Sequence, residues 1–512
     1  MLFNSIEFLF FFLPAVLLGF LLLQRLGHLR PIKFWLVACS LFFYAWWNPV
    51  YLLLLLLSAG VNYSLGRVLA KGGKDQGRQW LVLGIAFNLG LLGYFKYGNF
   101  FLDSVTQAMH WGFNFEYIVL PLAISFYTFQ QITYLVDSRK GLTDSHNLLD
   151  YLLFVSFFPQ LIAGPIVHHK EILPQFSRLT DRSKNSANIT IGLSILVVGL
   201  FKKVVVADGF GFFSNGVFTL AAAGSPLATL DALVGVFAYS FQLYFDFSGY
   251  SDMAIGLACL FGIKLPVNFF SPFRAQNISD FWRMWHATLA RFLRDYVYAP
   301  LGGFFCSPGR QRFNLFTTMF IGGVWHGAGW TFIVYGLCHG SYVIIHQLWR
   351  VKVSGPLGLV GKKSYNALAQ VFTFLVVALT LVVFRADSLA TAGRVYSSLF
   401  NWNGFQFLPA YEFKIFSNNA LELMSGLFGV HGKEGVIFFF LALALAACWL
   451  LPSTYQLFRH CDIAIDKPLA GREPIVALQW QDNWRWGLFI GILAIASMVN
   501  LTQVSEFLYF QF

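Results

Sequence analysis

From residue 7 to residue 501 the chain returns repeatedly to long apolar runs, separated by short loops in which the charges collect. A run of about 20 apolar residues is what an α-helix needs to cross a hydrocarbon layer about 30 Å thick. Of the 512 residues, 57% are hydrophobic and only 12% charged, where a soluble domain carries about 25% charged residues. The pattern predicts an all-α polytopic membrane protein rather than a soluble domain with one anchor. The 59 phenylalanines suit lipid-facing and interfacial surfaces. The net charge of +11 sits in the loops between apolar runs, as cytoplasmic loops require, so no nucleic-acid partner is expected. Cys39, Cys259, Cys306, Cys338, Cys448 and Cys461 are scattered without a C-x-x-C, so neither a disulfide framework nor a metal site is expected.

Taken in order, Glu7 to Gln24 reads as a retained first span with a candidate kink at Pro14, and not as a cleaved signal peptide, because no basic stretch precedes it. Phe34 to Leu65 is too long for one crossing. Interfacial tryptophans and an Asn-Pro turn signal between Tyr44 and Pro49 make it a hairpin. The basic loops Arg25 to Lys33 and Arg67 to Arg78 then share the cytoplasmic side, which puts the N-terminus on the outer side. A span from Trp80 to Lys96 is followed by a wetter segment with Lys96, Asp103 and His110, and by a return through Ile118 to Val136. Tyr151 to His168, broken at Pro159 and Gly164-Pro165 and flanked by charged loops, reads as re-entrant. His168 and His169 are expected to be solvated. Spans are expected near 188–206, 228–247, 252–264, 367–384, 435–451 and 485–501, with a long loop at 386–434. Asp280 to Ala299 reads as an interfacial amphipathic helix, with possible Asp280/Arg283 and Arg291/Asp295 pairs. About ten or eleven crossings result. They form a single membrane-embedded domain over 1–512, with a core at about 118–350 and more peripheral helices at 1–117 and 351–512. No internal repeat supports an inverted-repeat transporter.

The stretch from Phe313 to Gln347 carries His326, His339 and His346 on an otherwise apolar background. An ionisable side chain at bilayer depth is costly and marks a functional site by default. Glycines 322, 323, 327 and 329 around His326 interrupt a regular helix and let a backbone or substrate come close. Tyr335, His339, Tyr342 and His346 share one helical face. Interhelical hydrogen bonding explains His339 and His346 as well as chemistry does. A buried neutral imidazole suits general-base work at His326. Tyr244, Asp246, Ser248, Ser251 and Asp252 form a second polar cluster, which is either a lock between helices or part of a passage. His286 is either structural or at the cytoplasmic mouth of such a passage.

Several blocks together resemble the membrane-bound O-acyltransferase family: Y-F-D-F-S-G-Y-S-D-M-A-I-G at 244–256, N-F-F-S-P-F at 268–273, F-W-R-M-W-H at 281–286, L-R-D-Y-V-Y at 293–298 and G-G-V-W-H-G-A at 322–328. The likeness extends to Y-A-W-W (44–47), G-Y-F-K-Y (93–97), L-P-L-A-I-S-F-Y (120–127), F-P-Q-L-I-A-G-P (158–165), F-R-A (384–386) and F-L-Y-F-Q-F (507–512), and is greatest to the bacterial branch that acetylates exported polysaccharides such as alginate. The resemblance implies a helical bundle around a central tunnel, with His326 catalytic and His286 as a second family histidine. It also implies a tunnel lined by Trp325, Tyr335, His339, Asp246, Ser248, Tyr244 and Asn268. Met284 stands where the family carries an arginine. Acetyl-CoA is the donor substrate the resemblance implies, with no bound cofactor. Periplasmic polysaccharide-acetylation proteins, membrane lipid and a polysaccharide acceptor of alginate or cellulose type are the implied partners, in a bacterial inner membrane. A transporter or flippase moving an acyl carrier or glycan without chemistry would fit the polar midplane residues as well, but the absence of repeats and the W-H-G block favour the enzyme, and a scaffold subunit leaves the cost of burying His326 unexplained.

Overall fold

The computed structural model describes residues 1–71, 74–110, 116–143, 147–162, 164–400, 432–465, 474–501 and 507–508. Among them there is no strand, only an isolated bridge between Leu265 and Ala464. The chain is an all-α polytopic membrane protein. Five helical stretches are long and apolar enough to cross a bilayer among the described residues: Glu7–Arg25, Pro49–Lys71, Gly77–Met109, Asn185–Ala222 and Lys363–Arg385. Gly435–Leu450 and Trp484–Asn500 are shorter apolar helices.

The first helix, α1 (Leu13–Arg25), continues a π-helical turn, Glu7–Phe12. That widened turn adjoins Pro14, which has no N–H to give it. The expected hairpin follows as α2 (Leu29–Ala45) and α3 (Pro49–Lys71), with Asn48 Oδ1 accepting from Val50 N at 2.9 Å in the turn. Next, α4 (Lys74–Leu92) runs through a π-helical turn, Gly93–Tyr97, straight into α5 (Gly98–Met109). Lys96 is therefore not in a wetter connection. It is buried within a continuous helical stretch.

After α6 (Ile124–Arg139), α7 (Leu148–Ser156) ends at Phe157 and a single turn, α8 (Phe158–Leu161), precedes buried extended backbone. The break falls where Pro159 predicts it. His168 and His169, which opens the short α9 (His169–Ile172), are both buried and not solvated as expected. His168 Nδ1 lies 3.1 Å from Tyr296 Oη, which donates to Asp137 Oδ2 at 3.0 Å. His169 Nδ1 is 3.6 Å from the same carboxylate.

A π-helical turn, Lys202–Ala207, also joins α10 (Asn185–Phe201) to α11 (Asp208–Ala222). The two spans expected at 228–247 and 252–264 are one helix, α12 (Thr229–Leu260), of 32 residues and about 48 Å. It needs no break at its carboxylates because the π-helical turn after α10 supplies cations. Asp246 pairs with Lys203 at 2.6 Å, and Asp252 pairs with Lys202 at 2.7 Å. Close backbone approach makes this reach possible: a Cβ on Gly199 would lie 2.6 Å from Gly249 O.

The stretch 280–299 is not one helix. It divides into α13 (Ile278–Met284), capped by Asn277 Oδ1 on Asp280 N at 2.9 Å, and α14 (Ala287–Leu293), which leads into a π-helical turn, Arg294–Tyr298. His286, with φ of 44°, makes the corner. Arg283 reaches Asp280 at 3.6 Å as expected. Arg291 instead grips Glu171 through both oxygens at 2.8 and 3.1 Å, and Asp295 pairs with Arg294. Two helices, α15 (Pro308–His326) and α16 (Trp330–Trp349), then form the hairpin that carries the three histidines. The next span is α17 (Lys363–Arg385), and α18 (Leu389–Phe400) occupies the start of the expected 386–434 loop. Most of that loop, 401–431, lies outside the described residues, as do 509–512 of the closing motif. The remaining helices are α19 (Gly432–Leu450), α20 (Thr454–Leu457) and α21 (Trp484–Asn500).

Candidate active site

Ser307 and Pro308 start α15 in the usual way, a side-chain cap followed by a residue with no N–H to satisfy. The helix ends at His326, where Gly327 turns extended. Its partner α16 lies so close that a Cβ on Gly323 would sit 2.6 Å from Gly336 N. This backbone contact fixes the level at which His326 stands. The imidazole is buried, and its ring meets Trp325 at 5.1 Å, Phe384 at 5.3 Å and Tyr335 at 5.8 Å, all edge-on.

Trp325 stands between two histidines: its ring is 5.1 Å from that of His326 and 6.0 Å from that of His286. On its other face it stacks on Phe129 at 5.2 Å. His286 is fully buried in the corner between α13 and α14, edge-on to Phe247 at 4.7 Å. Its Nδ1 lies 3.3 Å from Asn268 Oδ1, which also accepts from Thr288 Oγ1 at 2.6 Å. An amide oxygen only accepts, so Nδ1 carries the proton and Nε2 keeps its lone pair. The backbone holds Asn268 in register, since its carbonyl accepts from Ala287 N at 3.0 Å.

On α16, Tyr335 and His339 lie side by side with ring centroids 4.4 Å apart, and Tyr342 follows at 5.8 Å from His339. The shared face expected from the spacing is present. His339 Nδ1 accepts from Trp282 Nε1 at 3.2 Å, which leaves Nε2 as the protonated nitrogen of a neutral ring. Trp325 Nε1 and His339 Nε2 are buried with no protein hydrogen-bond partner among the described residues. Such atoms are rare in protein interiors and mark places where a water or ligand group belongs. His346 is set apart, its Nδ1 3.0 Å from Ser279 Oγ.

The structure brings His326, Trp325, His286, Tyr335, His339 and Asn268 into one region. Asp246 is occupied elsewhere: it holds Lys203 and accepts from Leu508 N at 3.2 Å. Ser248 is buried on the same helix, and Tyr244 packs against Phe269 at 5.8 Å and Phe273 at 5.1 Å. Two residues at the site were not expected there from the sequence. Lys96 Nζ donates to Trp325 O at 2.7 Å and His326 O at 3.1 Å, and Tyr97 Oη donates to Val324 O at 2.8 Å. A lysine inside an apolar run, in G-Y-F-K-Y, was the available signal. No cluster of three or more His, Cys, Asp or Glu side chains could hold a metal among the described residues.

The sequence profile of the membrane-bound O-acyltransferase family matches residues 10–384. A peptidoglycan O-acetyltransferase of Helicobacter pylori is 44% identical over 434 residues, 79% of this chain and 80% of that one. A protein of Pseudomonas aeruginosa named "Probable alginate O-acetylase AlgI" is 41% identical over 413 residues, 79% of this chain and 76% of its own. The teichoic acid D-alanyltransferase of Bacillus subtilis is 29% identical over 276 residues, 51% of this chain and 68% of its own. The matched span contains α15, α16, the corner at His286 and the lysine-bearing turn of α4 and α5, so this chain belongs to the membrane-bound O-acyltransferase family and is an O-acyltransferase.

Proposed function

We propose that this enzyme transfers an acetyl group from acetyl-CoA on the cytoplasmic side to hydroxyls of an exported polysaccharide, directly or through a periplasmic partner protein. It would do so in a bacterial inner membrane with its N-terminus on the periplasmic side. The observation that carries this reading is the position of His326: a buried imidazole at a glycine-broken helix end, beside Trp325, Tyr335 and the two further histidines. The names of the two relatives above 40% identity, one for peptidoglycan and one for alginate, support a polysaccharide acceptor. The basic loops between the early helices support the orientation.

His326 takes the proton from the acceptor hydroxyl as its oxygen attacks the thioester carbonyl. The tetrahedral adduct collapses, the carbon–sulfur bond breaks, and the departing thiolate receives that proton. His286, with Nε2 bearing a lone pair, is the second group able to handle a proton. The other buried polar atoms, Trp325 Nε1 and His339 Nε2 among them, have hydrogen-bonding capacity to offer a substrate in a passage that Tyr335, Tyr244, Ser248 and Asn268 would line. His326→Ala tests the reading. Ester-linked acetate on the exported glycan, measured as hydroxamate, should fall to background while protein level stays unchanged. Retained acetylation would reject His326 as the catalytic residue.

A further inference from the structure

We infer that Lys96, with Tyr97 beside it, is a positioning residue for the reaction, clamping and electrically neutralising the helix end that presents His326. The inference rests on the reading of His326 as the base. An α-helix leaves its last four carbonyls without partners and carries about half a negative charge at that end. In α15 these are the carbonyls of Gly323 to His326. Three of them accept from the π-helical turn Gly93–Tyr97: Val324 O from Tyr97, Trp325 O and His326 O from Lys96. The Lys96 ammonium also lies 5.7 Å from the centre of the Trp325 ring.

Capping alone does not require a charge. Tyr97 shows that a neutral hydroxyl satisfies a carbonyl here, and an amide side chain would do the same. An ammonium at this depth is costly, and no carboxylate lies within ion-pair distance of Lys96 among the described residues. What Lys96 adds over a neutral cap is therefore its positive charge at the negative pole of α15. When the acceptor oxygen attacks, negative charge builds on the former carbonyl oxygen next to His326. An uncompensated helix C-terminus would oppose it, and Lys96 in its protonated form removes that opposition without reorganisation. The π turn explains how sequence neighbours reach one target. Successive residues on a regular helix point about 100° apart, and the widened turn lets Lys96 and Tyr97 both address α15.

The test compares K96Q, K96R, K96M and Y97F with H326A in membranes carrying the full chain. Acetyl-CoA is the donor, alginate and peptidoglycan are the acceptors, and hydroxamate reports ester. Thermal melting of each purified variant is measured alongside. K96Q keeps a donor to the carbonyls and removes the charge. It is expected to lower kcat on the order of 100-fold, the scale of losing one electrostatic contribution to the developing oxyanion, with KM for acetyl-CoA and the melting temperature near native. K96R should recover most of the rate, and Y97F should cost only a few-fold. K96Q at the native rate, or K96R as slow as K96M, overturns the inference. Activity surviving in H326A overturns the underlying reading instead. An inactive H326A beside a fully active K96Q overturns the role of Lys96 alone.

Discussion

Gly323→Ala perturbs a close backbone contact between α15 and α16 three residues before His326. A Cβ there would meet Gly336 N at 2.6 Å and Phe332 O at 2.9 Å, both backbone atoms of α16 that cannot rotate away. Gly336 Cα lies nearer still and ordinary contact begins at 3.4 Å, so α15 and α16 must part by about 1.1 Å at this level. His326 lies three residues on, about 4.5 Å along the same helix, and is carried with it. A displacement near 1 Å at a catalytic group costs on the order of 100-fold in rate. The stability cost is smaller: overpacking is worth about 1–3 kcal/mol, and alanine recovers about 0.8–1.0 kcal/mol of helix propensity over glycine. G323A should therefore accumulate and melt close to native yet make ester on the order of 100-fold more slowly. Two neighbours serve as comparisons. Gly322 faces only the Leu293 Cδ1 methyl at 2.9 Å, and Gly309 faces nothing within 4 Å. G322A should lose no more than a few-fold and G309A nothing. Ester formation per unit of protein in membranes is the measurement. A G323A rate within twofold of native would refute the reasoning that the α15–α16 backbone contact places the base.

Two further outcomes follow from the buried charges. Lys203→Met leaves the Asp246 carboxylate, 2.6 Å from it and almost fully buried, without its cation; breaking one side of such a pair costs about 3–5 kcal/mol. K203M should melt well below native in detergent and the K203M/D246N double variant should recover much of the loss, whereas a native midpoint for K203M would sink the claim that this pair locks α12 in place. His168, outside the spanning helices, is held down to about 3 by burial and then by Arg291 and Lys170. Its folded pKa is depressed, so between an unfolded value near 6.5 and about 3 the unfolded chain binds a proton the native chain does not. Stability is then present above about 6.5 and falls as pH drops, by up to about 1.4 kcal/mol per pH unit. The melting midpoint should fall between pH 7 and pH 5, and fall less in H168N; equal slopes would contradict it.

The sequence made legible what rests on local signals. The Tyr44–Pro49 turn, the glycine break at His326, the face shared by Tyr335, His339 and Tyr342, and the Asp280–Arg283 pair all depend on neighbours within a few turns. What escaped depends on partners far along the chain. Asp246 and Asp252 looked like a helix break because their cations, Lys203 and Lys202, come from residues more than 40 positions earlier. His168 looked solvated because Tyr296, 128 residues away, supplies its cover. The corner at His286 has no glycine or proline to announce it. It is held by Asn268, 18 residues before, and by Thr288 on the next helix.

The π-helical turns link these escapes to one device. Lys96 and Tyr97 both reach the end of α15, and Lys202 and Lys203 both reach α12, at carboxylates six residues apart. Neighbours in sequence point about 100° apart on a regular helix. A π-helical turn narrows that angle without ending the span. In a hydrocarbon solvent an ammonium needs acceptors supplied by protein, and each of these two turns brings two donors to one neighbour. The two sites then differ in what receives the charge. At α12 it is a carboxylate, which cancels it and yields a lock. At α15 it is a row of carbonyls, which solvate a protonated lysine without cancelling its charge. Replacing Lys203 should therefore be felt first in melting, and replacing Lys96 first in turnover.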